Sequence, residues 1–233
     1  MTPSDHADYA RRRGSLASFL EERGRRSSGA VEDLDEAIQI RREILDMTPS
    51  GHPDHAQGHD NLASSFWGRF NKTGNVEDSD KSIELRRQGL DMTPSDHPDC
   101  PSRLVTLGFA LMSRSKHSGA IGELDEGIEL ARQALAMTPR DAAMLLSVGT
   151  ILLNRFERSG HTTDIDGAIA LLRQAVDSAS GDSDTATLVV VRGLLEASLR
   201  ARFEHSNNEN DLQEITEMES LRYDWVSNDT DSE

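Results

Sequence analysis

A short string returns along this chain at almost constant spacing, and that return limits the fold more than any other feature. MTP begins at Met1, Met47, Met92 and Met137, at intervals of 46, 45 and 45 residues. A second marker reads LDEAI from Leu34, SDKSI from Ser79, LDEGI from Leu124 and IDGAI from Ile165, with a degenerate LQEIT from Leu212. A third is an arginine before a polar link, at Arg23, Arg69, Arg114, Arg155 and Arg202, followed by phenylalanine at Phe70, Phe156 and Phe203. Three markers in one order define about five units of roughly 45 residues. A chain built this way buries the faces of each unit against its neighbours. Such stacking needs few large side chains, which suits 36% hydrophobic and 4% aromatic residues.

Each unit is expected to fold as two helices. In DLDEAIQIRREILDM, Leu34, Ala37, Ile38, Ile44 and Leu45 fall on one helical stripe. Asp33 with Glu36 has the spacing of a capping box, and Glu123 with Glu126 imitates it. Pro49, Pro94 and Pro139 follow the expected ends of the second helices. The first helices begin near His-Pro-Asp, with Pro53 and Pro98 suited to a first turn. Gly74, Gly119 and Gly160 stand where a left-handed cap would end them. LVVVRGLL, from Leu188, keeps the phase of a first helix despite its β-branched residues. The expected organisation is all-α: one solenoid over residues 1–227, with units near 6–49, 52–94, 97–139, 141–180 and 182–227, then an acidic disordered tail at 228–233.

This pattern resembles the tetratricopeptide repeat over essentially the whole chain. The family places a small residue on the first helix, two small residues seven apart on the second, and a proline five later. Ala17, Ala63, Gly108 and Gly149 match the first position. Ser82, Gly89 and Pro94 match the second set, as do Gly127, Ala134 and Pro139. Ala37, Ile44 and Pro49 keep the spacing with one large residue, and Ala168 and Ala175 are followed by Ser180 instead of proline. The period exceeds the ordinary one of about 34 residues. It is similar to the long variant of filamentous fungi, which accompanies nucleotide-binding or caspase-like protease domains. The resemblance implies about five antiparallel hairpins in a right-handed superhelix, with first helices lining the concave groove. In the fifth unit Glu196, Ile215 and Arg222 replace small residues, as expected of a terminal cap.

Charge narrows the partners. The formal net charge is −16, with 41 acidic and 25 basic side chains. Such a field repels nucleic acid and anionic membranes. The first 30 residues hold six arginines and four acids, the last 30 ten acids and one arginine, an asymmetry compatible with weak head-to-tail self-association. No apolar run approaches the roughly 20 residues of a membrane span. The absence of a secretory signal and a single cysteine, Cys100, lead to a cytoplasmic expectation. Met1 stands in phase with the interior methionines, the placement expected of a piece or short form of a longer array.

The candidate binding residues are Arg23, Arg69, Arg114, Arg155 and Arg202, together with Trp67. On concave first helices, the arginines would hold carboxylates of an extended acidic peptide through forked hydrogen bonds. The structural alternative pairs each with Asp35, Asp80, Asp125 or Asp166 of its own hairpin. Trp67 would be an anchor if exposed. His52, His55 and His59 have a spacing able to bring imidazoles to one helix face for a metal, yet His52 and His97 belong to the repeated link. Cys100 lies between Asp99 and Pro101, poor surroundings for a thiolate. The expectation is therefore a non-catalytic scaffold that binds a protein or peptide and needs no cofactor. The alternatives are a regulatory or sensor fragment of a larger multidomain protein, and a metal- or thiol-dependent enzyme.

Overall fold

A computed structural model of the chain describes residues 9–26, 29–181 and 185–230, with side chains described up to Ser220. Ten helices and no strands are found among the described residues. They are α1 (Tyr9–Arg25), α2 (Val31–Met47), α3 (His55–Thr73), α4 (Val76–Asp91), α5 (Cys100–Ser118), α6 (Ile121–Met137), α7 (Ala142–Ser159), α8 (Thr162–Gly181), α9 (Thr185–Ser206) and α10 (Glu209–Thr230). Consecutive helices pack as hairpins, in the manner of a helical solenoid. The chain divides into two compact units, Met1–Leu130 and Ala131–Glu233.

In the first unit α1 packs on α2, α2 on α3, α3 on α4 and α4 on α5. The small positions set how closely these helices approach. A methyl group added at Gly127 would lie 3.1 Å from the Gly108 carbonyl oxygen, so only glycine fits that crossing without displacement. Ser82 uses the same proximity to donate its hydroxyl to the Ala63 carbonyl at 2.9 Å. Ile44, too large for its place, packs at the margin of a cluster formed by Ala17, Leu20, Ala37 and Ile40. In the second unit α7 packs on α8, α8 on α9 and α9 on α10. Leu145, Ile151, Ile165, Ile169 and Leu172 are fully buried there.

The helix ends follow from local chemistry, with several corrections to the expectation. Gly74, Gly119 and Gly160 have φ of 72°, 76° and 70° and close α3, α5 and α7. In the fifth hairpin Asn207, at φ 52°, does this work, its N–H donating to the Phe203 carbonyl at 2.7 Å. Pro53 and Pro98 do not enter the helices. They lie in the preceding turn, and Pro101 occupies the first turn of α5. His52 and His97 organise that turn: each Nδ1 accepts the backbone N–H two residues on, of Asp54 and Asp99, at 3.1 Å. With Ser180 in place of proline, α8 runs on to Gly181. α10 reaches Thr230, three residues into the segment expected as a tail. The Arg222 side chain lies outside the described residues.

Candidate functional site: the arginine rungs and the open stripe

The five arginines stand near the C-terminal ends of α1, α3, α5, α7 and α9, one per hairpin. Each meets an acid on the second helix of its own hairpin. Arg23 donates Nε and Nη2 to Asp33 at 2.5 and 2.6 Å. Arg69 does the same to Asp78 at 2.8 and 2.6 Å, Arg155 to Asp164 at 2.7 and 2.6 Å, and Arg202 to Asp211 at 2.9 and 2.5 Å. Arg114 pairs with Glu123 at 2.7 Å. Asp33 and Glu123 are therefore ion-pair acceptors, not capping-box residues. α2 starts after Ala30 with no side-chain cap.

The acids Asp35, Asp80 and Asp166, expected to serve their own hairpins, serve the next one instead. Asp35 accepts Nη1 of Arg69 at 2.5 Å, Asp80 accepts Nη1 of Arg114 at 2.7 Å, and Asp166 accepts Nη1 of Arg202 at 2.7 Å. Each of these three guanidinium groups thus ties its own second helix to that of the preceding hairpin. Hydrogen bonds to Asp78, and then to Asp35, raise the pKa of Arg69 against the opposing effect of burial; Asp211 and Asp166 do the same for Arg202. Arg23 holds the Asp33 carboxyl below the usual carboxylate range through its hydrogen bonds.

With these forks engaged, the open positions on the first helices lie elsewhere. On α3 the less buried side chains Gln57, Asn61, Ser64, Trp67 and Asn71 recur at helical spacing. On α5 the same positions are Ser102, Thr106, Phe109, Met112 and Lys116. Trp67 and Met112 share one repeat position, and Phe109 lies one turn before Met112. All three are half-buried. Phe109 and Met112 do not stand out in the sequence, where the recurring arginines give the stronger signal. The signal that could have found them is position relative to the small residue Gly108, which Phe109 follows directly and Met112 follows by one turn.

The other candidates have structural places. His59 is buried, its Nδ1 lies 3.0 Å from the His55 carbonyl, and the two rings meet edge to face. Among the described residues no group of three or more His, Cys, Asp or Glu is placed to hold a metal. Cys100 is a buried free thiol at the start of α5. No helix among the described residues is long and apolar enough to cross a membrane.

Comparison with known proteins agrees with this geometry. A family model described as a tetratricopeptide repeat matches residues 10–55, the first hairpin and the link after it. The first hairpin is thus a tetratricopeptide-type repeat, and the described helices have the fold of a TPR-like helical solenoid. Among solved structures, it is similar to the nearly identical TPR-like repeats given as kinesin light chain from Podosopora anserina. One such structure has a TM-score of 0.66 at 17% identity, covering 95% of this chain and 99% of that one. A thermophilic TPR protein of Thermus thermophilus gives 0.52 at 17% identity, covering 91% and 97%. MamA from Desulfovibrio magneticus gives 0.52 at 13%, covering 90% and 96%. At these identities the likeness is one of fold. No curated protein matches the chain.

Proposed function

We propose that this tetratricopeptide-type protein is a non-catalytic scaffold that holds a peptide or helix of another protein against the open stripe of α3 and α5. The observation that carries this reading is the half-exposure of Trp67 and Met112 at one repeat position, with Phe109 one turn before Met112, beside arginines whose forks are already engaged. The resemblance to the family puts first helices on the groove. A tryptophan flanked by flexible and aromatic apolar groups supplies the large contact area on which interface hot spots depend. The arginines then act by holding the hairpins in register, so that neighbouring stripes stay aligned. Burial of the lone thiol of Cys100 is compatible with a cytoplasmic setting.

The test is selection of peptides from a random library on the full chain, followed by affinity measurement on variants. Trp67→Ala is expected to weaken selected peptides by at least about tenfold, the scale of a hot-spot truncation. Arg155→Lys is expected to leave them unchanged. Binders indifferent to Trp67 and Met112 would move the site away from this stripe.

A further inference from the structure

In the first unit, the second helix of one hairpin covers the first helix of the next through two contacts. Asp35 on α2 takes Nη1 of Arg69, and Ile38 packs against Leu62 and Phe66 of α3. Asp80 on α4 takes Nη1 of Arg114, and Ile83 packs against Leu107, Ala110 and Leu111 of α5. The covering helix therefore carries an aspartate and, three residues later, an isoleucine. α6 keeps the pair as Asp125 and Ile128, and α8 as Asp166 and Ile169.

α1 carries the receiving half of this contact. Leu16, Phe19 and Arg23 hold the repeat positions of Leu62, Ser65 and Arg69, and of Leu107, Ala110 and Arg114. The later residues are closed off: Leu62 is 4% exposed and Leu107 1%. Leu16 is 39% exposed and Phe19 61%. Arg23 gives Nε and Nη2 to Asp33, and its Nη1, the arm that takes the neighbouring hairpin's acid elsewhere, has no partner among the described residues. Its guanidinium lies over the Phe19 ring, 5.7 Å from the centroid.

We propose that the outer face of α1 is a docking surface for an acidic amphipathic helix of another protein, one that presents an aspartate to Arg23 and, three residues later, an isoleucine to Leu16 and Phe19. The interior contacts supply the template. Charge agrees at Arg23, which meets Asp33 through only two of its nitrogens, whereas Arg13 and Arg25 are already paired with Glu43 and Glu21. A second copy of the chain fits poorly as occupant. At the two covering positions of α10 stand Gln213 and Thr216, so its last helix has neither the charge nor the apolar group. This inference rests on the stacking contacts and is independent of peptide binding at Trp67.

The probe is a hydrocarbon-stapled peptide with the sequence of residues 30–48, which contains Asp35 and Ile38. Its binding to the full chain is read by fluorescence anisotropy, with circular dichroism to verify that each variant keeps its helices. In the full chain α3 is already covered by α2, which leaves α1 as the matching surface. Saturable binding is expected, weakened at least about tenfold by Phe19→Glu or Arg23→Glu, the scale of an interface hot spot. The same loss is expected for a peptide carrying Asp35→Gln and Ile38→Thr, and no loss for Trp67→Ala. Absence of binding would overturn the proposal. So would loss on Trp67→Ala without loss on Phe19→Glu, which would put the peptide in the groove. Equal binding by a stapled peptide of residues 208–226 would assign the face to a second copy and likewise overturn it.

Discussion

The first and last hairpins are built to one plan and finished differently. At the start, α1 presents apolar Leu16 and Phe19, and one arm of Arg23 has no partner among the described residues. At the end, α10 replaces the aspartate and isoleucine of α2, α4, α6 and α8 with Gln213 and Thr216, both exposed. The fifth hairpin keeps the inward half of the contact: Arg202 still forks onto Asp211 and still reaches Asp166. Only the outward half has been made polar. A repeat protein grows or stops according to a few side chains on the outer face of its end helices, because each unit contacts only its neighbours.

The largest expected effect comes from moving a terminal feature into the interior. Glu196 occupies the small position of the fifth hairpin, half-buried and paired with Arg200 at 2.9 Å. Ala63 occupies the same position in the second hairpin and is fully buried. Ala63→Glu is expected to cost about 4 kcal/mol or more, since it buries an unpaired charge in a tight crossing. Glu196→Ala should be close to neutral. Chemical denaturation monitored by circular dichroism measures both.

A smaller difference separates the first two arginines. Arg69 serves the buried Asp78 and also Asp35, whereas half-exposed Arg23 has Asp33 as its one acidic partner among the described residues. Arg69→Ala strands a buried carboxylate and is expected to cost about 3 kcal/mol. Arg23→Ala also strands a buried carboxylate, Asp33, but breaks no ion pair to another hairpin among the described residues, so a smaller loss is expected by the same measurement, and equal losses would remove the distinction between a two-sided and a one-sided rung.

The smallest effect concerns pH. Arg23 lowers the pKa of Asp33, and Arg13 with Gln39 lowers that of Glu43, all within the first hairpin. A carboxylate with a depressed folded pKa contributes fully above its unfolded value and loses that contribution as pH falls through the folded one. Protection of the α1 and α2 amides, taken relative to the intrinsic exchange rate at each pH, should therefore change little above pH ~5 and fall on acidification below about 4. Loss of protection that begins near neutrality would point to groups other than these carboxylates.

Much of this was legible in the sequence because repetition showed which positions matter. The MTP and LDEAI markers set the phase, the small residues located the crossings, and the link glycines ended the helices. The acid partners were not legible. Asp33 and Asp35 are two residues apart, about 200° around a helix, so they face different neighbours. Spacing alone does not say which faces inward. His-Pro-Asp does not fix where the first helix starts, because a proline in a turn before a helix and one in its first turn look alike in sequence. The open face of α1 is not legible because Leu16 and Phe19 match residues that are buried in every later unit, and only packing reveals that nothing among the described residues covers them.

The central claim is that an aspartate followed three residues later by an isoleucine is what lets a second helix cover the next first helix. The most direct test installs that pair at the closed end, as Gln213→Asp with Thr216→Ile, and measures sedimentation velocity over a range of concentrations. Concentration-dependent, end-to-end assembly is predicted for this variant and not for the wild-type chain, and adding Phe19→Glu should abolish it. A variant that keeps the sedimentation of wild type at every concentration would contradict the claim.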